Sequence, residues 1–484
     1  MFICTEENEM FSGNRPRKSD ETGKYRVCFF ALLAVALPIF IVLSSSAVCQ
    51  THKPTGTPQS APSTWTDSSE MLSHTGQFHG VCLGHINGDG NLDFAGANES
   101  GVQTYFGDGT GRWTKTPETP VLTGRYNYVI LADYDGNGKT DLFACGESTG
   151  VRLWTGDGTG RWTDVTSAVN LPIAGGNWAA VSTGDVNNDL RTDLIATNYF
   201  NGVKCFIQDA SGLFSEQSIG LPTDQRDGSV CIADFNKDGK PDLAVSGGST
   251  AAAIYYGNGG EGGVMNWIPG ASVGLPSSGF NGLSAGDLNK DGFPDLVAGG
   301  YESGAGIKVF LNDGGTGWTE SSSGLPSTGK FLEARLADFD KDGKIDLACP
   351  SFGGTPKGIK VFYGNGGSAW AESSIGLPSH MAVGIDVGDF NNDGLQDIIE
   401  GAAAPGGATG IYAFINSNVS VPEHQLFWIT YLLCTFSVIY ISIIYIYKRH
   451  KDTTQRHNAL KRMPSAYTRV PQNHKKTLPD KLLC

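Results

Sequence analysis

The stretch Asp234-Phe235-Asn236-Lys237-Asp238-Gly239-Lys240-Pro241-Asp242 decides the fold, because the chain carries close copies of it at regular intervals. The copies begin at His85, Asp133, Asp185, Asp234, Asp287, Asp338 and Asp389, with successive starts 48, 52, 49, 53, 51 and 51 residues apart. A fixed period near fifty residues marks a repeat architecture. Oxygen-bearing side chains stand at positions 1, 3, 5 and 9, and Gly at position 6, with two departures described below. A short loop wraps a hard divalent cation in this way: alternate residues turn oxygens inward, and the Gly allows a sharp bend.

One whole unit reads clearly over residues 229–276. Residues 229–233 alternate into a first strand that runs into the loop. Residues 243–246 make a second strand and 252–256 a third, Gly257-Asn258-Gly259-Gly260 makes a turn, and a fourth strand starts at Trp267. Four antiparallel strands per fifty residues describe one propeller blade. A fourth-strand aromatic recurs at Trp65, Trp113, Trp162, Phe214, Trp267, Trp318 and Trp370. Trp65 precedes the first loop and no counterpart follows the last, so the chain enters as a fourth strand and leaves as a third, over 411–415. Pairing residues 63–71 with the blade built from 383–416 satisfies both sheet edges and clasps the ring. The expected fold is all-β: a seven-bladed β-propeller over 64–417.

The units resemble the FG-GAP/VCBS repeats of integrin α-subunit head domains and related surface proteins. The resemblance rests on D-x-[DN]-x-[DN]-G-x-x-D in each unit and covers roughly 64–417. It implies a seven-bladed propeller whose loops, between strands one and two, bind Ca²⁺. The ligand sets are Asn87, Asp89 and Asp93; Asp133, Asp135, Asn137 and Asp141; Asp185, Asn187, Asp189 and Asp193; Asp234, Asn236, Asp238 and Asp242. They continue with Asp287, Asn289, Asp291 and Asp295; Asp338, Asp340, Asp342 and Asp346; Asp389, Asn391, Asp393 and Asp397. Two loops depart from the pattern. His85 replaces the first acid of the first loop, which loses a hard ligand, and Leu190 replaces the Gly of the third, which strains that turn. Up to seven Ca²⁺ in a structural role are expected. EF-hands are excluded, because strands flank the loops and no Glu stands at position 12. No leg-like domains follow the repeats in this sequence, which points away from an integrin.

The formal charge is −14, and the loops alone hold 21 Asp residues. The acidity is therefore site chemistry, and nucleic acid is not an expected partner. The ten Cys show no CxxC or zinc spacing. Cys82 and Cys231 occupy equivalent positions in separate units, read as small buried residues rather than a disulfide. Outside the repeats, residues 1–26 are a polar, basic segment and 27–48 an apolar run read as a signal peptide or signal anchor. A linker follows over 49–63, rich in Thr, Pro and Ser. Residues 426–447 form an uncharged run that meets Lys448-Arg449-His450-Lys451, the pattern of a transmembrane helix with a cytoplasmic tail over 448–484. The propeller then lies outside the cytoplasm, with glycosylation sequons at Asn98 and Asn418.

Gly282-Leu283-Ser284-Ala285-Gly286 matches a hydrolase elbow but aligns with first strands, and Gly257-Asn258-Gly259-Gly260-Glu261-Gly262 matches G-x-G-x-x-G but is a turn. No catalytic constellation stands out. A ligand face is expected opposite the cation loops, where the connections between units vary. Its candidate contacts are Tyr126, Tyr128, Trp178, Tyr199, Phe280, Tyr301 and Phe331. The expected role is a cell-surface, membrane-anchored adhesion or recognition module for an extracellular glycan or protein. The alternatives are a carbohydrate-active enzyme, revived by an acid/base pair such as His380 with Glu333 or Asp386, or a scaffold subunit of a membrane complex.

Overall fold

The computed structural model describes residues 63–417 apart from 121–122, 173–175, 225–227, 248–249, 301–304, 354–356 and 404–407. The apolar runs at 27–48 and 426–447, the Asn418 sequon and the C-terminal tail lie outside the described residues, as does Tyr301. Among the described residues no helix is long and apolar enough to cross a membrane; the helical element present is a 3₁₀ turn at Glu261–Gly263.

Strands dominate, in repeated four-stranded antiparallel sheets. In the unit around the fourth loop the strands are Val230–Ala233, Asp242–Gly247, Thr250–Gly257 and Trp267–Pro269, within two residues of the pattern's prediction. A single pairing of Gly247 with Phe280 joins this sheet to the next. The second strands, such as Asp242–Gly247 and Asp193–Asn198, are buried at every residue. Both faces of each sheet are covered by neighbouring sheets, so apolar and small residues replace the alternation of a half-exposed strand. The first strands lie innermost. Phe78–Gly84 packs beside Tyr128–Ala132, that beside Trp178–Gly184, and so on through Phe280–Gly286 and Arg335–Ala337 to Gly384–Gly388, which returns to Phe78–Gly84. The sheets thus form a closed ring, a β-propeller.

Closure follows the predicted route. Thr64–Asp67 pairs with Thr409–Ser417, placing Trp65 opposite Asn416, so the two ends of the repeat region share one sheet. The cores sit between adjacent sheets: Phe78, Phe94 and Trp113 of the first unit pack with Phe390, Ile399 and Ile411 of the last.

Two devices join the units, and the repeat alignment points to both. Position 2 of each cation loop is buried, and Tyr134, Phe235, Phe339 and Phe390 there meet the fourth-strand aromatic of the next unit. Ring centroids lie 5.1 Å apart for Phe390–Trp113, 5.8 Å for Phe235–Trp318 and 5.6 Å for Phe339–Trp65, all edge-on. The second device is an x-[Gly/Asn]-Leu-Pro segment after the fourth strand, at 169–172, 219–222, 273–276, 323–326 and 375–378. Its first residue accepts a hydrogen bond from the backbone of the next unit's aromatic: Ile219 O from Trp267 N at 2.9 Å, Ile375 O from Trp65 N at 3.0 Å. Its second residue is left-handed (φ 90° at Gly220, 63° at Asn170), and at Gly220 an added Cβ would lie 1.8 Å from the Trp267 carbonyl.

The described cysteines are free. Cys82 and Cys231 are half-buried on inner strands rather than fully buried, and burial of their sulfurs pushes both thiols up to about 12. Asn98 is 4% exposed and its Oδ1 accepts from Ser100 N, so this sequon is held within the fold, contrary to the sequence expectation of a glycosylated side chain.

Candidate functional site

Each cation loop leaves the end of an inner strand and returns as the second strand. In the fourth loop the Asp234 carboxylate accepts from the backbone N–H groups of Asp238 and Gly239, at 3.1 and 2.8 Å. Asn236 Oδ1 accepts from Asp238 N, and Asp238 Oδ1 from Lys240 N. This ladder turns the side chains at positions 1, 3 and 5 towards one centre. Asp133, Asp135 and Asp141, and likewise Asp338, Asp340 and Asp342, bring carboxylate oxygens within 4.8 Å of one another. Asp287 Oδ1 in the fifth loop is shielded from solvent and has no hydrogen-bond partner among the described residues. The converging carboxylates of the second and sixth loops, and separately the orphaned oxygen of the fifth, are groups that could hold a hard divalent cation.

The ninth residue behaves differently from the other three. Asp93, Asp141, Asp193, Asp242, Asp295, Asp346 and Asp397 are all fully buried. One oxygen of Asp242 accepts from Phe235 N at position 2 (2.9 Å) and the other from Gly257 N at the end of the third strand (3.0 Å). The same two bonds recur in the other units, as at Asp346 with Phe339 N and Gly364 N. The ninth acid is thus a staple between loop and sheet, a role the spacing did not distinguish from ligation. Burial pushes these carboxyls up, to about 6 at Asp242 and about 7 at Asp346, against the backbone bonds that favour the charge; neighbouring loop acids raise them further.

Both departures from the pattern are visible in the geometry. His85 Nδ1 donates to Asn91 O at 2.8 Å, so the side chain at position 1 turns to the loop's own backbone and supplies no carboxylate. Leu190 adopts φ 68° and is 94% exposed, and its N–H still reaches Asp185 Oδ2 at 2.7 Å. The loop survives by forcing a branched residue into a left-handed turn. In the same loop Arg191 pairs with Asp189. Position 4 is also left-handed in every loop, including Lys237, Lys290 and Lys341, a strain the sequence reading missed. Gly88 and Gly136 at that position were the available signal.

The candidate ligand contacts separate sharply. Tyr126, Trp178, Phe280 and Phe331 are buried, at 2%, 5%, 7% and 0% exposure, and belong to the cores between sheets. They are corrected here from contact residues to core. Each stands seven residues before its cation loop, as Phe78 does, and that shared register was the sign of a packing position. Tyr199 is half-buried, edge-on to the exposed Phe200.

Tyr128 lines a cavity. About 230 Å³ opens at the start of the inner strands, the end of the axis away from the cation loops. Beneath it lies a charged network: Arg335 contacts Glu333 (2.8 Å), Asp386 (3.1 Å) and the Tyr128 hydroxyl (3.4 Å). The remaining carboxylate oxygens accept from Ile385 N and Leu83 N, both at 2.8 Å. Burial raises the Glu333 carboxyl, with Arg335 opposing, and drives the Tyr128 phenol up to about 12. His380 joins neither acid. It pairs with the fully buried Glu400 at 3.0 Å, so the acid/base pair envisaged from the sequence does not form.

The family comparison agrees with the repeat seen in this geometry. The FG-GAP-like repeat family matches residues 85–144, 133–196, 185–245, 234–298 and 287–349, more than half of the chain. The protein belongs to the FG-GAP-like repeat family. No curated protein sequence matches it. Among solved structures it is similar to an Agrocybe aegerita lectin described for specific recognition of non-reducing terminal N-acetylglucosamine. That match has 18% identity, TM-score 0.43, and covers 62% of this chain and 80% of that one. It is also similar to BBS1N in complex with ARL6DN (11%, TM-score 0.49, 73% and 98% covered) and to the WD40 β-propeller domain of Doa1 (13%, TM-score 0.47, 73% and 97% covered).

Proposed function

We propose that this protein is a cell-surface, membrane-anchored recognition head: a seven-bladed propeller stiffened by Ca²⁺, binding an extracellular glycan or protein. The observation that carries the cation is the convergence of three carboxylates in the second and sixth loops, beside the unpartnered Asp287 Oδ1 of the fifth. Acids so close repel one another unless an ion neutralises them, and flexible oxygen ligands suit Ca²⁺ better than Mg²⁺. Bound there, Ca²⁺ would supply charge neutralisation, while the ninth acid and the buried position-2 residue carry the rigidity into the joints between units. The membrane assignment rests on the apolar run at 426–447 and its basic flank.

The test is to present the full-length chain to arrays of glycans and matrix proteins, with Ca²⁺ and with chelator. Selective binding that chelation abolishes supports the reading. Folded, Ca²⁺-loaded protein that binds no glycan or protein overturns it, and turnover or membrane co-purification assays would then address the enzyme and scaffold alternatives.

A further inference from the structure

The inner strands place two rings of side chains at the mouth of the axis, five and six residues before each cation loop. The cation loops nearly repeat; these rings do not. Six residues before the loops stand His79, Asn127, Ala179, Gly228, Asn281 and, in the sixth unit, Leu332; five before stand Tyr128, Ala180, Ser229 and Glu333 among glycines. A ring built of equivalent strands does not need such variety to close.

Three features define what the mouth accepts. The cavity, at about 230 Å³, is smaller than the ~300–1,000 Å³ of sites for drug-sized molecules. It holds the volume of about eight waters at ~30 Å³ each, enough for one saturated ring with its substituents. Its wall mixes imidazole, amide, phenol and hydroxyl groups with the apolar Ala179, Ala180, Leu332 and Val383. Its floor is rigid, because Arg335 is held by two carboxylates that are themselves held by backbone N–H groups.

Charge narrows the class. Two carboxylates face one guanidinium, so the floor disfavours an anion. Both carboxylates are already bonded to Arg335 and to backbone donors, so an ammonium would have to share them with a guanidinium. His79 completes the picture. Its Nε2 is shielded from solvent and lacks a partner among the described residues. Burial, and then the nearby Arg125, lower its pKa to about 4, so the ring is neutral and keeps a lone pair. Arg125 itself is paired with Glu147 at 3.2 Å.

We propose that the axial mouth binds a single neutral, polyhydroxylated ring, of the class of a terminal monosaccharide or a cyclitol, with Asn127, Tyr128 and Ser229 meeting its hydroxyls, the neutral His79 forming part of the wall, and Ala179 and Leu332 meeting its C–H face. This deepens the recognition reading and rests on it. The ligand of the recognition head would then be read end-on, one ring entering along the axis.

The experiment titrates full-length, Ca²⁺-loaded protein with neutral methyl glycosides and myo-inositol, with glucuronate and glucosamine as charged controls. Saturation-transfer NMR and calorimetry give the readout. At least one neutral probe binds, more tightly than either charged control. Ala179→Trp and Leu332→Trp, filling the cavity from different walls, each abolish that binding. Ser229→Ala weakens it about tenfold, the scale of one lost hydrogen bond. Melting temperatures confirm that each variant is folded, and either blocking variant suffices if the other fails. The inference is overturned if no neutral probe binds, if only glucosamine binds, or if a folded blocking variant binds as well as wild type. If a macromolecular ligand is still held in a Ca²⁺-dependent way while the probes neither bind nor compete, the mouth is wrong and the recognition head stands. If nothing binds at all, both fall.

Discussion

The same inner strands end, on one side of the ring, in cation loops that are near copies of one another, and begin, on the other, in a mouth where neighbouring units place His79, Asn127, Ala179 and Asn281 in one register position. At the loop end the units repeat the same bonds: each ninth Asp staples its loop to its sheet, and in every loop but the first, where His85 stands, the first acid accepts from the turn. The mouth end is held by a network that spans units, with Arg335 bridging to Asp386 of the next unit and Tyr128 of the second. The contrast teaches a division of labour: what repeats builds the ring, and what breaks the repeat is where the chain can distinguish one molecule from another.

The most severe test of that division removes the ions. Chelation should lower the melting temperature of the full-length chain by far more than any substitution, because each site binding only the folded state contributes about 2.7 kcal/mol at a hundredfold excess over Kd. His85→Asp should add a Ca²⁺ to the stoichiometry measured by calorimetry, since it restores the first acid. An unchanged melting curve under chelation would break the comparison outright.

At the opposite end, Arg335→Met should destabilise by about 3 kcal/mol in denaturant unfolding, because it strands two carboxylates that are 12% and 20% exposed. The low end of the usual range applies because Arg335 keeps some contact with solvent. Trp178→Ala should cost a comparable ~3–5 kcal/mol through the cavity it leaves, and should act on stability whether or not ligand is present. A Trp178 variant that is fully stable but blind to ligand would restore the contact role withdrawn above.

Acidity separates the two histidines of this end. His79 titrates near 4 instead of 6.5, so its contribution to stability is present above pH 6.5 and is lost as pH falls towards 4. His380 has the opposite sign. Burial alone would depress it, but its bond to buried Glu400 wins and holds it above 6.5, so its contribution is present in acid and is lost as pH rises through the folded value. At saturating Ca²⁺, the unfolding midpoint of His79→Gln should fall less than wild type between pH 6.5 and 4, and that of His380→Gln should fall less on the alkaline side. Parallel profiles for wild type and both variants would contradict the assigned environments.

The smallest expected effect returns to the loops. Leu190→Gly should stabilise by up to about 1 kcal/mol, since it relieves a left-handed leucine at some cost in chain entropy, and it should tighten Ca²⁺ binding in step. A destabilised variant would mean that Leu190 packs against something despite its 94% exposure.

Much of this was legible from residues alone, and the errors have a common cause. The loops, the strands around 229–276 and the clasp of 64–67 on the last sheet follow from local chemistry repeated in register, where each unit confirms the next. The buried aromatics were misplaced because residues 126, 178, 280 and 331 sit in connections that look like loops, although three of the four begin an inner strand or lie within it. The ninth acid's added role as a staple was not legible, because spacing reports which side chains carry oxygen, not which backbone N–H groups will claim it; Asp141 still stands with Asp133 and Asp135.

The sequence by itself therefore determined the repeat, the acidic make-up of its loops and the way the ring closes, because each depends on residues within one period or on the offset between two periods. Only the tertiary structure decided which aromatics are core, that His380 belongs to Glu400, and that His79, Tyr128 and Glu333 share one cavity. The cavity joins Tyr128 to Glu333, 205 positions along the chain, through the curvature of a closed ring, and curvature is a property of all the units packed together, written in none of them singly.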